Sequence, residues 1–133
     1  MTFSEADRQA LVQIRLTNAD AMLEDAHCLL ERGSLRSAAN RAYYSAFYAV
    51  SALALHEGKT VRTHTGLIGF LHSEFVATGK LDQRCGRIVQ EAFEDRSEAD
   101  YEDVPDITGE QIALRLGEVM ELIKAIRKII TGG

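Results

Sequence analysis

Proline occurs once in this 133-residue chain, at Pro105, and the other sharp interruptions fall at single glycines such as Gly33, Gly58 and Gly79. Between them run long stretches in which apolar residues return every three or four positions, the spacing of one helix face. Proline removes a backbone donor and clashes inside a helix, whereas glycine closes helices by entering the left-handed region. A chain punctuated in this way reads as helices joined by short turns. No stretch alternates apolar and polar residues as a half-buried strand does, so the expected fold is an all-α, antiparallel five-helix bundle over residues 1–133 as one domain.

The first helix is expected from about Ser4 to Glu31, with Leu11, Val12, Ala19, Met22, Ala26, Leu29 and Leu30 on its inner stripe. Ser34 is placed to cap a second helix that runs to about Glu57. The basic stretch GKTVRTH leads to a third, from about His64 to Ala77, and the fourth covers roughly Leu81 to Tyr101. After Val104-Pro105, Thr108 and Gln111 have the spacing of a capping box for the fifth, which ends near Ile130. Its stripe is the cleanest in the chain: Ile112, Leu116, Val119, Ile123, Ile126 and Ile130.

The second helix has no fully polar side. Leu35, Ala39, Ala42, Ala46, Ala49 and Leu53 make a face of mostly small residues, which lets neighbouring helices approach closely. Opposite lie Ser37, Asn40, Tyr44, Tyr48 and Ser51, with Arg41 at the margin. Such a helix is central in its bundle or meets a second subunit. The tyrosines either fill space with their hydroxyls at the edge or form a recognition surface beside Arg41. Together with the fourth helix, this perimeter predicts a homodimer.

Charge and composition exclude several classes. A formal charge of −5 argues against a protein that grips nucleic acid by bulk positive charge, while leaving room for a local basic groove. The polar, acidic start MTFSEADRQ is not expected to act as a signal peptide. The most apolar run, residues 42–55, is too short to span a bilayer, so no membrane association is expected. Two isolated cysteines, Cys28 and Cys85, make no metal or redox motif and suit a cytoplasmic location. His64 and His72 share a helix face but stand about 12 Å apart, too far to share a metal. No metal and no cofactor are expected. Neither of the common glycine-rich phosphate-binding motifs is present. Gly33-Ser34 is not followed by an Asp-x-Asp pair, so the chain is not itself a nucleotidyltransferase.

Residues 94–103, EDRSEADYED, hold seven charged residues, six of them acidic. Glu91, Glu94 and Glu98 are expected to be largely solvated. Arg96, however, falls in helical register with Cys85, Ile88, Val89, Ala92 and Ala99, on the apolar stripe. Two readings of this cation are open. It either forms a buried ion pair with Asp100, Glu91 or Asp95, or it lines a ligand groove. Lys59, Arg62 and His64 are further candidates for touching phosphate, because they precede and open a helix N-terminus.

The segments ANRAYYSAFYAVSALALHEG, HTGLIGFLHSEFVATGKL and EAFEDRSEADYE, in that order, resemble the HEPN family of small helical-bundle proteins. More narrowly, they are similar to the bacterial and archaeal branch in which the fourth helix ends R-x-x-A-D-Y. The resemblance spans about Asp7 to Ile126. It implies a four- or five-helix bundle that forms a homodimer, often paired with a separate minimal nucleotidyltransferase as the toxin half of a toxin–antitoxin system. Active toxins of the family are metal-independent ribonucleases with a motif of Arg, four to six residues, then His, assembled across the dimer. Arg96 matches the motif arginine. At the shortest spacing, where His belongs, this chain has Tyr101 preceded by Asp100, and no His follows His72. Ribose cleavage needs a base for the 2′-hydroxyl proton and a cation for the phosphorane charge. Arg96 suits the second role; Tyr101, with an ordinary pKa of about 10, is a poor base. Asp100 accepts protons but repels phosphate.

Two functions are therefore expected in competition. One is a dimeric interaction or nucleotide- or RNA-binding module around Arg96, with Asn40, Arg41 and Tyr44 on the facing helix. The other is an RNA-cleaving toxin with a degenerate motif built on Arg96, Asp100 and Tyr101.

Overall fold

The computed structural model describes residues 4–132; the first three residues of the polar N-terminal stretch and the last residue of the expected domain lie outside the described residues. Within that span the chain forms five α-helices and no strand: α1 (Glu5–Glu31), α2 (Leu35–His56), α3 (His64–Leu71), α4 (Gln83–Tyr101) and α5 (Gly109–Thr131).

The caps explain where the helices begin. Ser4, Thr63, Asp82 and Thr108 all have extended backbones, and each side chain accepts a backbone N–H of the first turn. At Ser4 the box is complete, because the Asp7 side chain accepts from the Ser4 N–H. Ser34 differs from the sequence-based expectation. Its ψ of 72°, against 143–162° at the other four, leaves it with no side-chain cap bond. The backbone satisfies this turn instead. With Gly33 at φ +77°, Gly33 N–H donates to Leu30 O and Ser34 N–H to Leu29 O, a helix stop with the two cross-bonds of a Schellman motif. The box expected at Thr108 is only half formed. Thr108 accepts from Gln111 N–H at 3.1 Å, but the Gln111 amide turns away to Asp95.

α2 is the central helix, packed on α1, α3, α4 and α5. Its alanines are what permit this: Ala38, Ala39, Ala42, Ala46, Ala49, Ala52 and Ala54 are all buried. The hydroxyl of Ser45, fully buried against α1, is satisfied by donating to Ala19 O at 2.7 Å. The α5 stripe packs as expected, with Ile112, Leu116, Val119, Ile123 and Ile126 buried and Ile130 partly so. A bidentate Arg127–Asp20 pair, at 2.6 and 2.9 Å, ties α5 to α1.

The third helix does not run unbroken to Ala77. After Leu71 it widens into a π-helical segment, His72–Val76, closed by Ala77 N–H donating to His72 O at 2.7 Å. Phe75 lies in the core there, 1% exposed, with its ring 5.6 Å from Phe70.

Candidate functional site

Helix α4 carries two adjacent charges with opposite fates. Its buried residues are Cys85, Ile88, Val89, Ala92, Asp95 and Ala99. At 5% exposure the inward position belongs to Asp95, and Arg96 sits at the margin with its side chain 25% exposed. This corrects the expectation that Arg96 lies on the apolar stripe, whose buried place here is Asp95's. The physical reason is on α5: Arg115, 7% exposed, needs a buried anion. Its Nε donates to Asp95 Oδ2 at 2.7 Å, and one terminal nitrogen donates to Glu91 at 2.5 Å and to Glu118 at 2.6 Å. Gln111 donates to the other Asp95 oxygen at 2.7 Å. Burial pulls the Arg115 pKa down, yet Asp95 and Glu91 outweigh it and hold the guanidinium above its ordinary value. The buried ion pair open to Arg96 in the sequence therefore exists, with Arg115 as its cation.

Glu91 is accordingly not largely solvated; it is partly buried and engaged by Arg115. Glu98 is also partly covered and accepts the Asp106 N–H at 3.2 Å. Glu94 alone of the three is exposed as expected.

Arg96 turns toward α2. Its guanidinium carbon lies 5.5 Å from the Tyr43 ring centroid and 5.2 Å from that of Tyr44, a cation held against two aromatic rings. Nε is 3.4 Å from Asp100 Oδ2 but lacks hydrogen-bond geometry and is itself enclosed. Among the described residues no group accepts a hydrogen bond from this guanidinium. Arg96 is thus held by rings and by a loose ion pair, with its donors unspent.

Beside it lies a groove of about 320 Å³ lined by Leu29, Arg36, Ser37, Asn40, Arg41 and Asp100. It sits between the end of α1, the first half of α2 and the end of α4. Arg36 donates to the Glu102 carbonyl at 3.2 Å, and exposed Arg41 reaches the Met22 sulfur at 3.7 Å. Of the candidates, Asn40, Arg41 and Asp100 line this groove; Arg96 and Tyr44 stand next to it, Arg96 through Asp100 and Tyr44 through Arg96. Tyr101 does not line the groove; it is 81% exposed on the last turn of α4.

The basic loop goes elsewhere. Lys59 pairs with Glu74 on the π-helical segment, and Arg62 is exposed. Neither lines the groove. His64 points inward, its ring stacked on Phe93 at 3.7 Å between centroids and hydrogen-bonded to the Tyr43 hydroxyl and to Gln90, both at 3.2 Å. A larger groove of about 880 Å³, with His72, Arg87 and Gln90 among its lining residues, opens between the π-helical segment and α4, away from Arg96. Among the described residues no three His, Cys, Asp or Glu side chains converge in a way that could hold a metal ion. No described helix is long and apolar enough to cross a membrane.

Sequence reasoning missed Arg36, Tyr43 and Arg115. Arg115 left a signal, since it stands beside Leu116 and three residues after Ile112 on the cleanest stripe. Arg36 left none, because its relation to Asp100 depends on how α2 packs against α4.

The family model described as "HEPN domain" matches residues 12–131. A "UPF0332 protein" of Thermotoga maritima is 32% identical, with the match covering 93% of this chain and 94% of that protein. "Putative toxin MJ0605" of Methanocaldococcus jannaschii is 34% identical over 70% of this chain and 66% of its own length. "Putative toxin MJ0142" of the same organism is 31% identical over 72% and 65%.

Proposed function

The chain belongs to the HEPN family, and on that footing we propose that it is a dimeric nucleotide- or RNA-binding module centred on Arg96, one half of a toxin–antitoxin-like pair with a separate nucleotidyltransferase. The observation that carries this reading is the Arg96 guanidinium, laid against Tyr43 and Tyr44 and donating no hydrogen bond to any described residue. A planar cation with free donors suits phosphate, which it can engage through two parallel bonds. Arg36 and Arg41 add positive charge along the same groove, and Asn40, whose amide also has no partner among the described residues, can read a sugar or base edge. The naming of two relatives as toxins supports the toxin–antitoxin setting. The half-buried rings of Tyr44, Phe47 and Tyr48 on α2 support a face that a second copy covers.

Binding is favoured over cleavage because no good base stands in the groove. Asp100 is paired with Arg96, and Tyr101 lies out on the exposed end of α4. Tyr43 is buried, its pKa pushed up to about 12 by burial first and by Tyr44 second, against the opposing pull of Arg96. A second reading, RNA cleavage with Asp100 or Tyr101 replacing the motif histidine, is favoured by those same toxin names. The deciding experiment expresses wild type and Arg96→Ala and follows growth, RNA integrity and binding of a labelled single-stranded RNA. Binding lost with Arg96→Ala, without RNA fragmentation by wild type, is the expected outcome. Fragmentation that depends on Arg96 moves the assignment to the ribonuclease. Sedimentation showing a monomer at micromolar concentration removes the dimer.

A further inference from the structure

A line of directed hydrogen bonds runs from α4 through the start of α3 to the ring beneath Arg96. Gln90 Nε2 lies 3.1 Å from Glu94 Oε1. A carboxylate only accepts, so the Gln90 amide must present its nitrogen to Glu94 and its carbonyl oxygen to His64. That oxygen lies 3.2 Å from His64 Nε2, which must then carry the ring proton. His64 Nδ1 is left as an acceptor, and the Tyr43 hydroxyl, 3.2 Å away, donates to it. Each member orients the next.

The ring of His64 has little freedom to leave this line. Phe93 stacks on it nearly parallel, at 26° between planes. Thr63 caps α3 by accepting the Gly66 N–H at 3.0 Å, which places His64 as the first helical residue. A Cβ on Gly66 would sit 3.0 Å from Thr63 Oγ1, so this tight cap favours the glycine. Tyr43 itself is 3% exposed, with Phe93, Phe47 and Tyr44 packed around it.

We propose that His64 is a positioning residue for Arg96: by accepting a hydrogen bond from the Tyr43 hydroxyl at Nδ1, it fixes one of the two rings against which the Arg96 guanidinium rests and keeps that guanidinium beside the groove. Two physical effects serve this. Anchoring the hydroxyl stops the ring from tilting, and donation of its proton makes the ring face more electron-rich toward a cation. His64 does not touch the groove. It is a phosphate-contact candidate by sequence, and it serves the same site from behind. The inference rests on Arg96 being the ligand contact proposed above.

The test reads position and binding separately. In ¹⁵N-labelled full-length protein, the Arg96 Nε–Hε signal, assigned by its loss in Arg96→Ala, reports ring-current shifts from Tyr43 and Tyr44. Tyr43→Phe keeps the ring and removes only the hydroxyl; His64→Leu removes the acceptor; His64→Asn returns an acceptor near the Nδ1 position. The expected result is a displaced Hε signal in Tyr43→Phe and His64→Leu, partly restored in His64→Asn. Binding of a fluorescein-labelled oligouridine should weaken about three- to tenfold in the first two, the scale of one lost hydrogen bond. In an Arg96→Ala background, the same changes should leave binding where Arg96→Ala alone puts it. An Hε signal unmoved by His64→Leu and Tyr43→Phe overturns the proposal. So does a His64 effect on binding that persists at full size without Arg96. If wild type and Arg96→Ala bind RNA equally, the groove reading fails, and the Hε signal still decides whether His64 positions Arg96.

Discussion

Asp95 and Arg96 are neighbours in sequence and opposites in the fold. Asp95 faces α5, where both of its oxygens are engaged, by Gln111 and by Arg115, and Arg115 spends its Nε and one terminal nitrogen on Asp95, Glu91 and Glu118. Arg96 faces α2, where it meets two rings and one loosely placed carboxylate and donates no hydrogen bond among the described residues. On the proposed reading, the difference separates scaffolding from site. A buried charge whose bonds are all made inside the fold has nothing left for a ligand, whereas a half-covered guanidinium with free donors does.

The strongest way to break this contrast is to cut the saturated side. Asp95→Ala leaves Arg115 buried without its main partner and should cost about 3–5 kcal/mol in urea unfolding. The exchange Asp95→Leu with Arg115→Met should recover only part of that loss, because the buried Glu118 and the half-buried Glu91 then lose this cation. A cost under about 1 kcal/mol for Asp95→Ala would show that the α4–α5 cluster does not hold the bundle.

A second test uses pH on the Arg96 side. Tyr43 has its pKa raised from 10.0 to about 12 in the fold. The unfolded chain therefore releases this proton first, and stability falls as pH rises from 10 toward 12. The Tyr43 contribution, fully present below pH 10, should be lost across that window to the extent of about 2 kcal/mol. Thermal melts at stepped pH should show the decline, and Tyr43→Phe should flatten it.

Arg96→Ala should lower stability by only about 1 kcal/mol, the scale of partly exposed cation–π contacts and a half-open ion pair. The same variant should lose most RNA binding in an anisotropy titration. A loss of several kcal/mol with binding intact would make Arg96 scaffolding like Arg115, and the contrast would vanish. The smallest effect is expected at Glu94, which is exposed and accepts only from Gln90. Glu94→Ala should change stability by under about 0.5 kcal/mol. Glu91→Ala should cost clearly more in the same melts, because Glu91 serves Arg115.

Much of the fold was legible from local signals. Gly33, Gly58 and Gly79 mark chain reversals with positive φ, and Thr108 caps α5 as its residue type and spacing suggest; Ser4, Thr63 and Asp82 are capping residue types too, but only the structure shows them capping. Ser34 shows the limit of that code, because residue type predicts a cap only when the backbone aims the hydroxyl. The widening at His72–Val76 was also out of reach, since one turn of different pitch leaves no clear mark on apolar spacing.

The site divides in the same way. Family resemblance singled out Arg96, while helical phase put it in a stripe whose buried place belongs to Asp95; the polar-aromatic stripe of α2 singled out Asn40 and Tyr44, which follow from spacing along one helix. Spacing cannot choose between Asp95 and Arg96, which lie about 100° apart around α4 and border the same apolar stripe. Only the packing of α5 made that choice, by bringing Arg115 to one side. Nor can spacing bring His64 to Tyr43, twenty-one positions away, or Arg36 to the groove with Asp100. The helices and their faces were determined locally, by the sequence. Which charges are spent inside the fold and which stay free for a ligand was decided by the tertiary structure, because hydrogen bonds between helices depend on distances that no single helix contains.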